Sequence, residues 1–400
     1  MKAWKLPLST AILAVSVGAQ AVEPAGIELD SGITLLPSVE LSVEDNDNAY
    51  LQPDETKVGT TITRLKPALA VAADLGQTQF NLGFTAEKGA YSSDEDDNYT
   101  DTTIDAGAGF ELTSRHQLDL SAQIKSAHDA RGAGTTEGSA ALGIKDPDEY
   151  DENTLNAAFT YGSESALLNM TAGLKSYDKE YNNNFVAGTR DRDHSKLTAS
   201  LLTSFNISDA TDALIDLSST KIDYSNDSDA ANSREGRLVK ALVGATYDIS
   251  GKLTSTAKVG VSQRSFDEGD VDSDSALSWE LNLQWTPRSY STVTLYTAQS
   301  ANETSGPGNY IDSNYSMISW EHELSEFFAL TADVSLASDA YYNDDTNRED
   351  DTLSYGLTGT YSPTKSLDVK AAVKQASRES TTDGLDYDQQ IISLGLVLAI

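Results

Sequence analysis

Apolar and polar residues alternate with a period of two along most of this chain, the mark of strands that press one face against an apolar medium. From Leu277 to Thr286, the set Leu277, Trp279, Leu281, Leu283 and Trp285 stands against Ser278, Glu280, Asn282, Gln284 and Thr286. Leu118, Leu120, Ala122 and Ile124 alternate in the same way with Asp119, Ser121, Gln123 and Lys125, and Leu367, Val369, Ala371 and Val373 with Asp368, Lys370, Ala372 and Lys374. The last stretch places Ile392, Leu394, Leu396, Leu398 and Ile400 at every second position. A terminal strand of that kind has free N–H and C=O groups that invite aggregation unless it pairs and closes a barrel. Alternation alone does not say whether the apolar face meets a soluble core or lipid.

The connections decide between the two. Short turns are expected near residues 74–77, 114–116, 162–165, 206–211, 248–252, 287–289, 322–326 and 362–366. Between them lie long polar segments at 44–56, 92–99, 129–150, 182–191, 225–234, 267–273, 302–311, 343–350 and 380–386. Strict alternation of short turn and long loop predicts an all-β, transmembrane, antiparallel up-and-down barrel of about eighteen strands, or sixteen if two weak strands fail, with both termini on the turn side. Phe110, Tyr161, Phe205, Tyr247, Trp285, Trp320 and Tyr361 each precede a short turn. That recurrence is expected of an aromatic girdle at one membrane interface.

Composition adds the compartment. Lys2 and Lys5, an apolar stretch from Leu6 and the small-x-small sequence Ala19-Gln20-Ala21 predict a secretory signal peptide over residues 1–21, with the barrel as a single domain over 22–400. The chain has no cysteine, which removes disulfides and thiolate metal sites, and its formal charge of −34 makes nucleic acid an improbable partner. In a barrel of this size the polar face lines a lumen too wide for side chains to fill. Arg64, Lys66, Asp119, Lys125, Asp216, Lys258, Glu280, Asp333, Asp368, Lys370 and Lys374 are the expected pore-lining charges, which either select solutes or neutralise one another across neighbouring strands. The long loop 129–150, with Gly132, Gly134, Gly138 and Gly143, either folds into the lumen or stays outside.

Acidic clusters such as Asp94 to Asp97 lack calcium-loop spacing and are expected to be solvated, with no metal or cofactor site. His116, His128, His194 and His322 are scattered, and no Gly-x-Ser-x-Gly elbow marks a nucleophile, so catalysis is not expected.

Ser393, Gly395, Leu398 and Ile400 resemble the C-terminal assembly signal of bacterial outer-membrane barrels, departing from it in the aliphatic last residue. The hairpin pattern, the HDARG stretch from His128 to Gly132, the PDEYDENTLNAAFTYG stretch from Pro147 to Gly162 and the terminal strand resemble the putative β-barrel porin 2 family of Gram-negative bacteria. The resemblance implies an outer-membrane conduit for exopolysaccharide or capsular polysaccharide. Its partners would be outer-membrane lipid, the barrel assembly machinery and periplasmic polysaccharide export proteins. A diffusion porin for small solutes and a plugged structural or adhesive barrel are the alternatives.

Overall fold

The computed structural model describes residues 26–29, 32–163, 166–226, 234–249, 251–267, 271–304, 306, 308–344 and 346–400. The expected signal peptide, residues 1–21, lies outside them. The strands are β1 (Ile27–Leu29), β2 (Ile33–Asn46), β3 (Thr60–Asp74), β4 (Thr78–Tyr91), β5 (Tyr99–Thr113), β6 (His116–Asp129), β7 (Asp148–Tyr161), β8 (Leu168–Tyr181), β9 (His194–Ser208) and β10 (Thr211–Tyr224). They continue with β11 (Gly236–Ile249), β12 (Leu253–Phe266), β13 (Asp274–Arg288), β14 (Ser291–Asn302), β15 (Tyr310–Ser325), β16 (Phe328–Tyr342), β17 (Glu349–Thr364), β18 (Leu367–Ser380) and β19 (Tyr387–Ala399).

From β2 onward each strand pairs antiparallel with the next, and β19 returns to pair with β2 from Ile391↔Asn46 to Ala399↔Ser38. The ring therefore closes on eighteen strands, β2 to β19, while the short β1 only folds back on β2. Closure satisfies backbone groups that lipid could not. No helix among the described residues is long and apolar enough to cross a membrane, so any crossing falls to the strands.

Alternation sets the facing as the sequence predicts. Leu277, Trp285, Leu336, Leu357, Leu394 and Leu398 are exposed on the outer wall, the orientation that lipid requires. The expected short turns and long loops fall where the strands end, save that 164–165, 227–233, 250, 268–270, 305, 307 and 345 lie outside the described residues. At the first turn Asp74 accepts a hydrogen bond from the N–H of Gly76, whose φ of +82° favours glycine. Strand registers shift at Glu111/Thr113, Thr211/Asp212, Trp285/Arg288, Glu323/Ser325 and Tyr361/Thr364, all at the turn rim, where bulges help a closed sheet bend. Most of the fully buried polar side chains among the described residues lie at the opposite, loop rim. There Asn48, Gln52, Thr136, Asp148, Thr189 and Asn309 are almost wholly buried, so polar burial is concentrated in the mouth of the barrel.

Candidate functional site: the lumen and its mouth

The inner wall carries ion pairs between neighbouring strands. On β2 to β5, Arg64 bonds Glu44 and donates from Nε to the Tyr99 hydroxyl at 3.0 Å, while Lys66 stands 3.4 Å from Glu87. On β6 to β8, Lys125 donates to Tyr150 at 3.1 Å and lies 3.7 Å from Glu152. Farther round, Lys258 reaches both Asp216 and Glu280 at 2.8 Å. Gly244, its register partner on β11, has no side chain to intervene. Asp119 accepts from Gln117 at 3.0 Å, and Asp368 is almost fully buried beside its register partner Val397. Asp333, Gly356 and Lys374 are register neighbours on β16 to β18, and Asp333 and Lys374 share a recess of about 270 Å³ with Ser354 and Gln389. Lys370 pairs in register with Thr360 and Gly395. Of the expected charges, Arg64, Lys66, Lys125, Asp216, Lys258 and Glu280 are thus neutralised across strands. Lys370, Lys374 and Asp333 have no ion-pair partner within 4 Å among the described residues.

Residues of three loops make contacts at the rim of this wall with strands other than those they join. The segment 130–147 between β6 and β7 is anchored at its base by Arg131, which is buried under bonds to Asp97, Asp94 and the Tyr50 hydroxyl. Burial opposes the charge on Arg131, but its bonds to Asp97 and Asp94 outweigh burial and raise its pKa. Gly132 has a φ of +94°, and a Cβ there would strike the carbonyl of Tyr50, so only glycine fits. Asp148, fully buried, takes bonds from Thr135 and Arg192, and Arg192 also reaches Asp129 at 3.0 Å. These contacts tie loop 182–193 to the same base.

At the tip of segment 130–147, Glu137 receives both terminal nitrogens of Arg348 at 2.8 Å and Nη1 of Arg378 at 2.6 Å. Burial works against the charge of Arg348, while Glu137 and Asp350 outweigh it and raise its pKa. By the shorter path, β6 and β18 are six ladders apart in a ring of eighteen. The loop therefore reaches across one third of the circumference. In the third loop, 303–309, Glu303 binds the Tyr224 hydroxyl and lies 3.4 Å from Lys196 and 3.7 Å from Arg264. Burial would raise its pKa, but the two cations prevail and lower it.

Sequence reasoning named charges along the wall and did not name Glu137, Arg348 or Arg378. Arg378 shares the parity of Lys370 and Lys374, a signal that was present in the sequence. Arg348 lies in a loop and offered none. The cluster Asp94 to Asp97, expected to be solvated, instead spends Asp94 and Asp97 on Arg131. Asp97 is buried, because the cation that holds it comes from a different loop.

A closed, lipid-facing ring with a charged lumen defines an outer-membrane β-barrel of the porin-like class. The chain belongs to the family described as "Putative beta-barrel porin 2", whose model matches residues 20–400. No curated protein matches the sequence. Among solved structures it is similar to the outer-membrane protein OpdK from Pseudomonas aeruginosa at 12% identity and TM-score 0.51, over 92% of this chain and 99% of that one. It is also similar to the FrpB iron transporter from Neisseria meningitidis at 10% identity and TM-score 0.46, over 96% and 86% respectively. At these identities the likeness is one of fold.

Proposed function

We propose that the protein is a passive aqueous channel of the bacterial outer membrane, exported with the help of residues 1–21, in which hydrophilic solutes cross a mouth narrowed by segment 130–147. The observation that carries this reading is the span of that segment from β6 to the Arg348–Arg378 pair, one third of the way round the ring. Eighteen strands enclose a lumen that wall side chains cannot fill, so the constriction comes from the loop. Small solutes are the favoured cargo. A polysaccharide, with the periplasmic export proteins it would require, is a second reading that rests on the family resemblance. It is favoured by the ionic character of the loop's tip contacts, which can be exchanged without unfolding a strand.

The test is conductance in planar bilayers. Trimming residues 130–144 should raise single-channel conductance severalfold while the barrel keeps its heat-modifiable migration on gels, because loops outside the membrane contribute little to barrel stability. Closed membranes at high protein load would replace the channel with a plugged structural barrel. Unchanged conductance after trimming would move the constriction to the wall.

A further inference from the structure

Glu137 sits in a site that does not depend on it for its shape. Arg348 is held from behind by Asp350, whose two oxygens lie 3.1 Å from Nε, and its guanidinium carbon lies 4.3 Å from the centre of the Tyr341 ring. Arg378 donates from Nε to the carbonyl of Leu385 at 2.8 Å and stands 4.9 Å from the Tyr387 ring. Both forks are therefore pre-aimed, a geometry that matches one carboxylate bidentately. Nη2 of Arg378 is buried with no hydrogen-bond partner, so the site has a donor to spare. Without Glu137 the two arginines keep Asp350 as their ion-pair partner within 4 Å, with Asp339, its register partner on β16, as the next carboxylate.

The segment that delivers Glu137 is held more by its N-terminal side than by its C-terminal side. Before it Thr135 is bonded to Asp148 and Thr136 to Gly132 and Ala133, whereas after it the polar contact is one bond from Gln52 to the carbonyl of Gly138 at 2.8 Å.

We infer that Arg348 and Arg378 form a binding site for a carboxylate-bearing solute, that Glu137 is its resident occupant, and that exchange of the solute's carboxylate for that of Glu137 frees the loop tip and widens the mouth. The inference deepens the channel reading and rests on it. The exchange is like for like: the same charge-assisted bonds form and break, so Glu137 is favoured over the solute only through its attachment to a segment held by Thr135 on Asp148 and Gln52 on Gly138. A short tether gives an effective concentration on the order of millimolar, which sets the scale of solute concentration for half exchange. A neutral solute cannot compete for the pair. A dianion is disfavoured by Asp350 behind Arg348.

The chain has no cysteine and Ala141 is fully buried, so Ala141→Cys supplies one thiol whose maleimide labelling reports departure of the loop. Labelling of the full chain should be slow in potassium chloride and severalfold faster when potassium glucuronate or acetate replaces chloride at equal ionic strength. Glucose should leave it slow. In the Arg348→Gln/Arg378→Gln variant labelling should be fast in every salt. Equal rates in chloride and glucuronate, or a glucuronate effect that survives in the double arginine variant, would overturn the site. Single-channel conductance of the otherwise unaltered protein is the second measurement. It should rise at millimolar glucuronate toward the value of Glu137→Gln, which should itself no longer respond, and a flat response in the unaltered protein overturns the site even if Ala141→Cys has loosened the loop. A protein that never conducts but shows the labelling pattern refutes the channel reading and keeps the exchange.

Discussion

The two rims of the barrel use aromatic residues for opposite ends. At the turn rim Tyr161, Phe205, Tyr247, Trp285, Trp320 and Tyr361 face outward and are exposed, an amphipathic ring suited to the headgroup boundary. At the loop rim Tyr50, Tyr150, Tyr181 and Tyr224 are buried, each beneath a cation. Lys179 lies 3.5 Å above Tyr150, Arg131 4.1 Å from Tyr50, Arg192 4.3 Å from Tyr181 and Arg234 4.5 Å from Tyr224. The turn rim anchors the barrel in its membrane. The loop rim ties loops together over the opening. The turn rim thus turns its aromatics outward, and the loop rim spends its own on holding loops together.

The largest effect should come from breaking the turn rim. Deleting Leu396 to Ile400 removes the seam with Ser38 to Leu41 and should leave a chain whose migration no longer shifts on heating. Retention of that shift would refute closure through β19. Ile400→Phe should be tolerated, since Ile400 is exposed on the lipid face.

Between the rims, the two faces of one strand should differ. Leu281→Arg puts a charge at mid-membrane on the lipid wall and should cost about 2–4 kcal/mol, whereas Asn282→Arg faces the lumen and should cost little. Refolding titrations into lipid measure both, and equal losses would reverse the facing of β13. A sharper comparison of the rims pairs Trp285→Ala with Tyr181→Leu. The first should lower folding stability by about 1–2 kcal/mol through lost apolar contact with lipid. The second should leave the barrel stable but alter conductance, because it releases the Asp129 carboxylate and the Arg192 stacking partner.

The smallest effect is one of pH. The folded pKa of Glu303 lies below its unfolded value, so its contribution is complete above the ordinary carboxylate range of about 4 and is lost as pH falls through the depressed value. Gating noise assigned to loop 303–309 should therefore appear only in acid. Its onset at neutral pH would contradict the pairing with Lys196 and Arg264.

The strand count and the turn rim were legible because their causes are local. A period of two, a turn residue such as Gly76 and an aromatic before each turn can each be read within a few positions. The expected inward set from Arg64 to Lys374 was read from the same parity. The mouth was not legible in that way. Glu137 and Arg378 meet only because the ring closes and brings β18 within reach of a loop from β6, and nothing near either residue encodes the encounter. The glycine-rich segment 130–147 pointed to the right loop, while its partners were set by three-dimensional closure.

The seam between β2 and β19 also governs the order in which the barrel can form. Every other barrel ladder joins consecutive strands, so hairpins can zip one after another with little loss of chain freedom. The seam instead joins Ser38 to Ala399, and closing a free loop of roughly 350 residues would cost about 5 kcal/mol in chain entropy. Sequential zipping removes that cost by carrying the two edges toward each other before they touch. Until the final ladder forms, both edges of the growing sheet stay open to any passing strand, so the interval between the last hairpin and the seam is when this protein is most exposed to misassembly.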